Sequence, residues 1–160
     1  MDELKEDLLL PVIGGEVVAY YTKPNRATSP NLFRWEIRLV FLGPDNRYKP
    51  AFLSLGKEQV DKLVNVLEEA QKSMNTLKGA SFSGHYSKEI DSAFLWPIIE
   101  VKAEQGKIWT DFWLASGTYK FKKSLNASQV GSCITVLKGA DEKGQRMINT
   151  LKALVLPNES

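Results

Sequence analysis

The sequence offers one histidine and one cysteine, and neither is well placed for catalysis. His85 lies in a Ser/Gly-rich stretch, where a lone imidazole is usually a solvated side chain. A Ser-His-Asp or Cys-His arrangement would have to use it. Cys133 falls on the apolar stripe of a helical segment, the pattern of a buried thiol rather than a nucleophile. One Cys and one His exclude a zinc site of the usual ligand set. The chain has no Walker A run and no Gly-x-Gly-x-x-Gly. No cofactor, no metal and no catalytic residue is expected.

One acidic constellation invites comparison with PD-(D/E)xK nucleases. Glu100-Val101-Lys102 follows an apolar run, with Asp91 upstream. In such enzymes two carboxylates hold a divalent metal and the lysine supports the attacking water. Asp91 is not the Asp of a Pro-Asp dipeptide, since it sits in Glu89-Ile90-Asp91-Ser92. An amphipathic strand with a polar edge accounts for it as well, so a metal-dependent nuclease is the alternative reading.

Interleaved cations and rings are the more informative pattern. Arg34 and Arg38 share a strand face with Glu36, and Tyr48-Lys49 follows. Lys107 and Trp109 project together, Trp113 lies further along, and Tyr119-Lys120-Phe121-Lys122-Lys123 comes next. A single strand of nucleic acid exposes both phosphates and base faces. Stacking on an aromatic ring is worth roughly 1–3 kcal/mol per base and tolerates any sequence. Phosphate neutralisation adds a salt-dependent term. The candidate nucleic-acid contacts are therefore Arg34, Arg38, Lys49, Lys107, Trp109, Trp113, Tyr119, Lys120 and Lys122. Strand aromatics are more often core, and Phe33, Trp35, Phe41 and Phe112 are assigned there. Trp109, Asp111 and Trp113 share one face, opposite Ile108, Phe112 and Leu114.

The elements that must position these residues follow from periodicity. Val60, Leu63, Val64, Leu67, Ala70 and Met74 form a helical stripe within 57–77, stopped by Lys78-Gly79. Asn126 and Gln129 read as a capping box that opens a second helix with stripe Val130, Cys133, Ile134 and Leu137. Gly139 and Gly144 are expected to interrupt it before a last helix carrying Met147, Ile148, Leu151 and Leu154. Strands are expected at 16–22, 33–41, 48–55, 94–103, 107–115 and 118–124, with turns at 43–46, 105–106 and 116–117.

Two sets of elements echo each other. Ser54-Leu55-Gly56-Lys57-Glu58-Gln59-Val60 returns as Ser124-Leu125-Asn126-Ala127-Ser128-Gln129-Val130, a shift of 70 (124 − 54). The Trp35 strand aligns with the Trp109 strand at a shift of 74 (109 − 35). The expected fold class is α+β: two β-β-β-α units in pseudo-twofold repeat, antiparallel sheets packed with amphipathic helices. The units are about 15–79 and 93–155 of a single domain over 1–160, with 80–92 as linker.

The strand-to-helix step Lys49-Pro50-Ala51-Phe52-Leu53-Ser54-Leu55-Gly56-Lys57-Glu58-Gln59-Val60-Asp61-Lys62-Leu63 resembles that of the positive cofactor four family. The duplicated strands-then-helix order resembles the related Whirly proteins. The resemblance implies binding of single-stranded DNA or RNA across a β-surface, as a homodimer or higher oligomer.

Composition sets the outer bounds. The chain has 160 residues, 43% of them hydrophobic and 25% charged, ordinary values for a globular domain. A net charge of +2 means that any basic surface is local. That near-balance also leaves room for a protein-interaction or inhibitor domain. A lone Cys rules out an intrachain disulfide. No stretch reaches the ~20 apolar residues of a membrane span, and the first residues are acidic where a signal peptide is basic. The expected location is cytoplasmic.

Overall fold

The alternation of apolar and charged residues in Phe33-Arg34-Trp35-Glu36-Ile37-Arg38-Leu39 can leave water on only one side. Two such half-wet sheets and three amphipathic helices make up the fold. The computed structural model describes residues 2–22, 32–41, 51–79, 84–90, 97–116 and 119–156. In chain order the elements are β1 (Glu3–Asp7), β2 (Gly14–Thr22), β3 (Leu32–Phe41), β4 (Ala51–Leu55), α1 (Lys57–Gly79), β5 (His85–Glu89), β6 (Ile98–Glu104), β7 (Lys107–Ser116), β8 (Tyr119–Leu125), α2 (Ala127–Lys138) and α3 (Ala140–Val155). Each sheet is a four-stranded antiparallel meander, β1-β2-β3-β4 and β5-β6-β7-β8. The fold is α+β, as the sequence predicts.

The helices are exchanged between the halves. Helix α1 leaves the first sheet and packs mainly on β6 and β7 of the second. Helix α3, at the end of the second half, packs on β2 and β3 of the first. Neither half can bury its own apolar faces, so each supplies the other's cover. One shared core results, with Phe41 and Phe112 meeting at 5.6 Å between ring centroids.

The repeat is present, with two differences from the expected units. Each half has four strands before its helix, not three. The extra strands are β1 and β5, edge strands in the acidic leader and in the segment 80–92 read as linker. Their charged, mostly exposed residues guard an edge and carry no apolar period to detect. Second, the register differs by one. Ile37 pairs with Leu55, and Thr110 pairs with Leu125. With Leu55 matching Leu125, Thr110 is the counterpart of Ile37, an offset of 73 (110 − 37). The counterpart of Trp35 is therefore Ile108, not Trp109. A one-residue slip turns every side chain to the other face, so Trp35 points into the core and Trp109 away from it.

The helix starts repeat at the atomic level. Gln59 Oε1 accepts from the Gly56 N–H at 2.9 Å, and Gln129 Oε1 accepts from the Asn126 N–H at the same distance. Asn126 completes its capping box by accepting from Gln129 N–H. Helix α2 stops at Gly139, and Gly144 lies inside α3 rather than breaking it.

Gly131 in α2 has no backbone need for glycine. A Cβ there would meet only Gln71 Nε2, at 3.2 Å, the free end of a flexible side chain. Gly131→Ala is expected to stabilise the protein by about 0.5–1 kcal/mol through helix propensity, raising Tm in a thermal melt by about 2–4 °C.

Cys133 is fully buried beneath α2, and burial pushes its thiol up to about 11 from 9.0. The folded protein therefore holds this proton more tightly than the unfolded chain. The associated stability is complete below pH 9 and is lost as pH rises towards 11. Between about pH 8 and 10.5 the loss is on the order of 2 kcal/mol. Urea midpoints at the two pH values should show it in the wild type, and Cys133→Val should lack that share.

Candidate nucleic-acid interface

Helices α1 and α2 lie against one face of the second sheet, which buries Ile99, Val101, Phe112 and Leu114. Strand β7 alternates, so Lys107, Trp109, Asp111, Trp113 and Ala115 project from the opposite, outer face. The tight turn Gln105-Gly106, with φ of 51° and 78°, fixes the register of β6 on β7. Lys102 thereby stands beside Trp109, Glu100 beside Asp111, and Ile98 beside Trp113. From β8, Ser124 stands beside Asp111, Lys122 beside Trp113, and Lys120 beside Ala115.

The centre of this face is a closed ionic cluster. Asp111 is 0% exposed, although it is on the outer side. Ser124 Oγ donates to Asp111 Oδ1 at 2.5 Å. Lys102 Nζ lies 3.3 Å and Lys122 Nζ 3.9 Å from Oδ2. Lys122 Nζ also lies 5.4 Å from the Trp113 ring centroid. The Trp113 indole N–H is buried and has no acceptor among the described residues. Both Trp109 and Trp113 are half-buried.

Charge is divided across the face. Glu89, Glu100 and Glu104 occupy the β5–β6 side, and Ser87 Oγ donates to Glu100 at 3.4 Å. Lys120 and Lys122 occupy the β8 side, with no carboxylate on that strand.

The outer face of the first sheet inverts this pattern. Arg38 holds the repeat position of Asp111 and is flanked by carboxylates: Glu16 at 3.7 Å and Glu36 at 3.6 Å. It also donates to the Tyr20 hydroxyl, which donates to Glu36 Oε1 at 2.6 Å. Burial, then the hydrogen bond to Glu36, pushes the Tyr20 hydroxyl up to about 12, so it stays a neutral donor. Arg34 is exposed, with its guanidinium 5.4 Å from the Tyr20 ring centroid.

The nine sequence-derived candidates thus divide. Lys107, Trp109, Trp113, Lys120 and Lys122 come together on the second sheet. Arg34 and Arg38 lie on the first sheet, and Arg38 is already neutralised. Tyr119 begins β8, with its side chain outside the described residues, as is the whole of Lys49. Of the nuclease triplet, Glu100 and Lys102 share the outer face, with Lys102 held on Asp111. Asp91 lies outside the described residues. Among the described residues no group of three or more His, Cys, Asp or Glu could hold a metal, and no helix is long and apolar enough to cross a membrane.

Sequence reasoning missed the part that Asp111, Lys102 and Ser124 play. The signal was present: Asp111 sits midway between two tryptophans at two-residue spacing, and Lys102 alternates with Val101. Phe52, 63% exposed on β4, was also passed over. The chain matches no protein-family model, no curated protein and no solved structure.

Proposed function

We propose that the protein binds single-stranded DNA or RNA, without catalysis, on the outer face of its second sheet. One observation carries the reading: Trp109 and Trp113 stand on the helix-free side of β7, with a lysine against the second ring and more along β8. Bases stack on the rings while phosphates follow Lys120 and Lys122. The carboxylates on the β5–β6 side repel the backbone and so set which way round the strand lies. The first sheet takes little part, because its central cation is ringed by carboxylates. The duplicated strands-then-helix order, which resembles that of Whirly proteins, supports the same reading.

Fluorescence anisotropy with labelled oligonucleotides over a salt series tests it. Three lysines at phosphates, Lys107, Lys120 and Lys122, predict a log K against log salt slope of about −2 for single strands. Duplex of the same sequence binds more weakly, because its bases are not free to stack. Failure to bind single strands at low salt ends the proposal.

A further inference from the structure

Asp111 poses a problem for a surface that binds a polyanion. A buried carboxylate sits between the two rings meant to receive bases, and it draws two lysines down onto the sheet. The Lys102 and Lys122 side chains are 25% and 48% exposed, so neither is closed off from water as Asp111 is. Lys122 faces Asp111 and the Trp113 ring at once. With Lys122 there, part of the ring face is occupied, and the Trp113 indole N–H has no acceptor among the described residues. Asp111 Oδ2, held only by the two ion pairs, and the Trp113 indole N–H both lack a hydrogen-bond partner among the described residues.

We propose that Asp111 competes with the phosphates of the bound strand for Lys122, so that phosphate binding uncovers the Trp113 ring. The proposal rests on the reading of this face as a single-strand interface. A phosphate is a second anion for the same ammonium group. When Lys122 swings to it, one ring face opens to a base. Phosphate capture and stacking are thereby coupled through one side chain. Asp111 remains buried and keeps Lys102, so the site does not collapse when Lys122 leaves. The carboxylate acts as a positioning group and sets affinity without touching the ligand.

Asp111→Asn is the direct test. The amide is isosteric and retains an acceptor for Ser124, and a thermal melt checks the fold. Without nucleic acid, acrylamide quenching of tryptophan emission should increase in Asp111→Asn. That increase should vanish when Trp113 is phenylalanine. With a labelled oligothymidylate, affinity should rise about two- to fivefold at about 50 mM salt, the size of one partly exposed ion pair that no longer has to be broken, with the salt slope unchanged. Lys122→Gln should raise quenching in the same way but not affinity, and adding Asp111→Asn to it should raise quenching no further. Wild-type binding with no gain in Asp111→Asn overturns the proposal alone. Absence of binding by both proteins overturns the single-strand reading, and the proposal with it.

Discussion

Replacing Trp109 and Trp113 together by alanine should lower affinity for single strands by at least about 30-fold, at two stacked bases worth roughly 1–3 kcal/mol each. The rings are half-buried on the outer face, so much of their loss falls on the ligand rather than the core. The single replacements should each show part of the effect, with Trp113 more sensitive to salt because Lys122 lies against it. Lys120→Gln should behave differently: a modest loss at low salt and a slope flatter by about 0.7, the mark of one phosphate contact. Trp35→Phe serves as the contrast. Its ring is in the core and its indole N–H donates to Asp141 Oδ1 at 3.2 Å, so the change should lower stability and leave the affinity of the folded protein intact. Anisotropy titrations read the affinities and thermal melts the stabilities. Unchanged binding by the double variant would remove stacking from the mechanism.

Gly144→Ala should destabilise the protein by about 3 kcal/mol, the upper end of the usual cost of forcing an extra methyl group into a packed core. Helix propensity argues the other way, since alanine in a helix interior is better than glycine by about 1 kcal/mol. Sterics decide. A Cβ at position 144 would lie 2.3–2.7 Å from three atoms of the Trp35 ring. The ring is rigid, lies in the core, and is held through its indole N–H by Asp141, which also meets Lys57 at 3.7 Å. It has no free end to swing aside. Moving it would part α3 from β3, the contact by which the second half covers the first. Tm should fall by about 10 °C, against the small rise expected for Gly131→Ala in the neighbouring helix. The opposite signs for the same substitution are the test, because propensity alone predicts a gain at both sites.

The sequence made the helices and central strands legible because burial gave each an apolar period. The stripe from Val60 to Met74 is buried as expected, and so is Val130 to Leu137. Strands β1 and β5 were hidden because each is an exposed edge, made of residues that also suit a loop. Glu3-Leu4-Lys5-Glu6-Asp7 shows no face to a periodicity argument, and only its pairing with β2 reveals it. Matching Trp35 to Trp109 misplaced the repeat by one residue, because the most conspicuous side chain was taken as the anchor. The helix entries at Leu55 and Leu125 were the better guide, being fixed by identical hydrogen bonds.

The site was half legible. Alternation placed Trp109, Asp111 and Trp113 on one face, and pleating confirms it. Which lysines would meet them depends on cross-strand register, which no local pattern specifies. Lys102 comes from β6 and Lys122 from β8, and only the meander brings both to Asp111. Arg34 and Arg38 had the right charge and spacing, but the glutamates that neutralise Arg38 arrive from its own strand and from β2.

Acrylamide quenching of tryptophan emission, with and without saturating oligonucleotide, tests the site most directly. Protection on binding, lost when Trp109 and Trp113 are both phenylalanine, is the predicted result. Binding with no change in quenching would mean that the strand lies elsewhere and that these rings do not receive its bases.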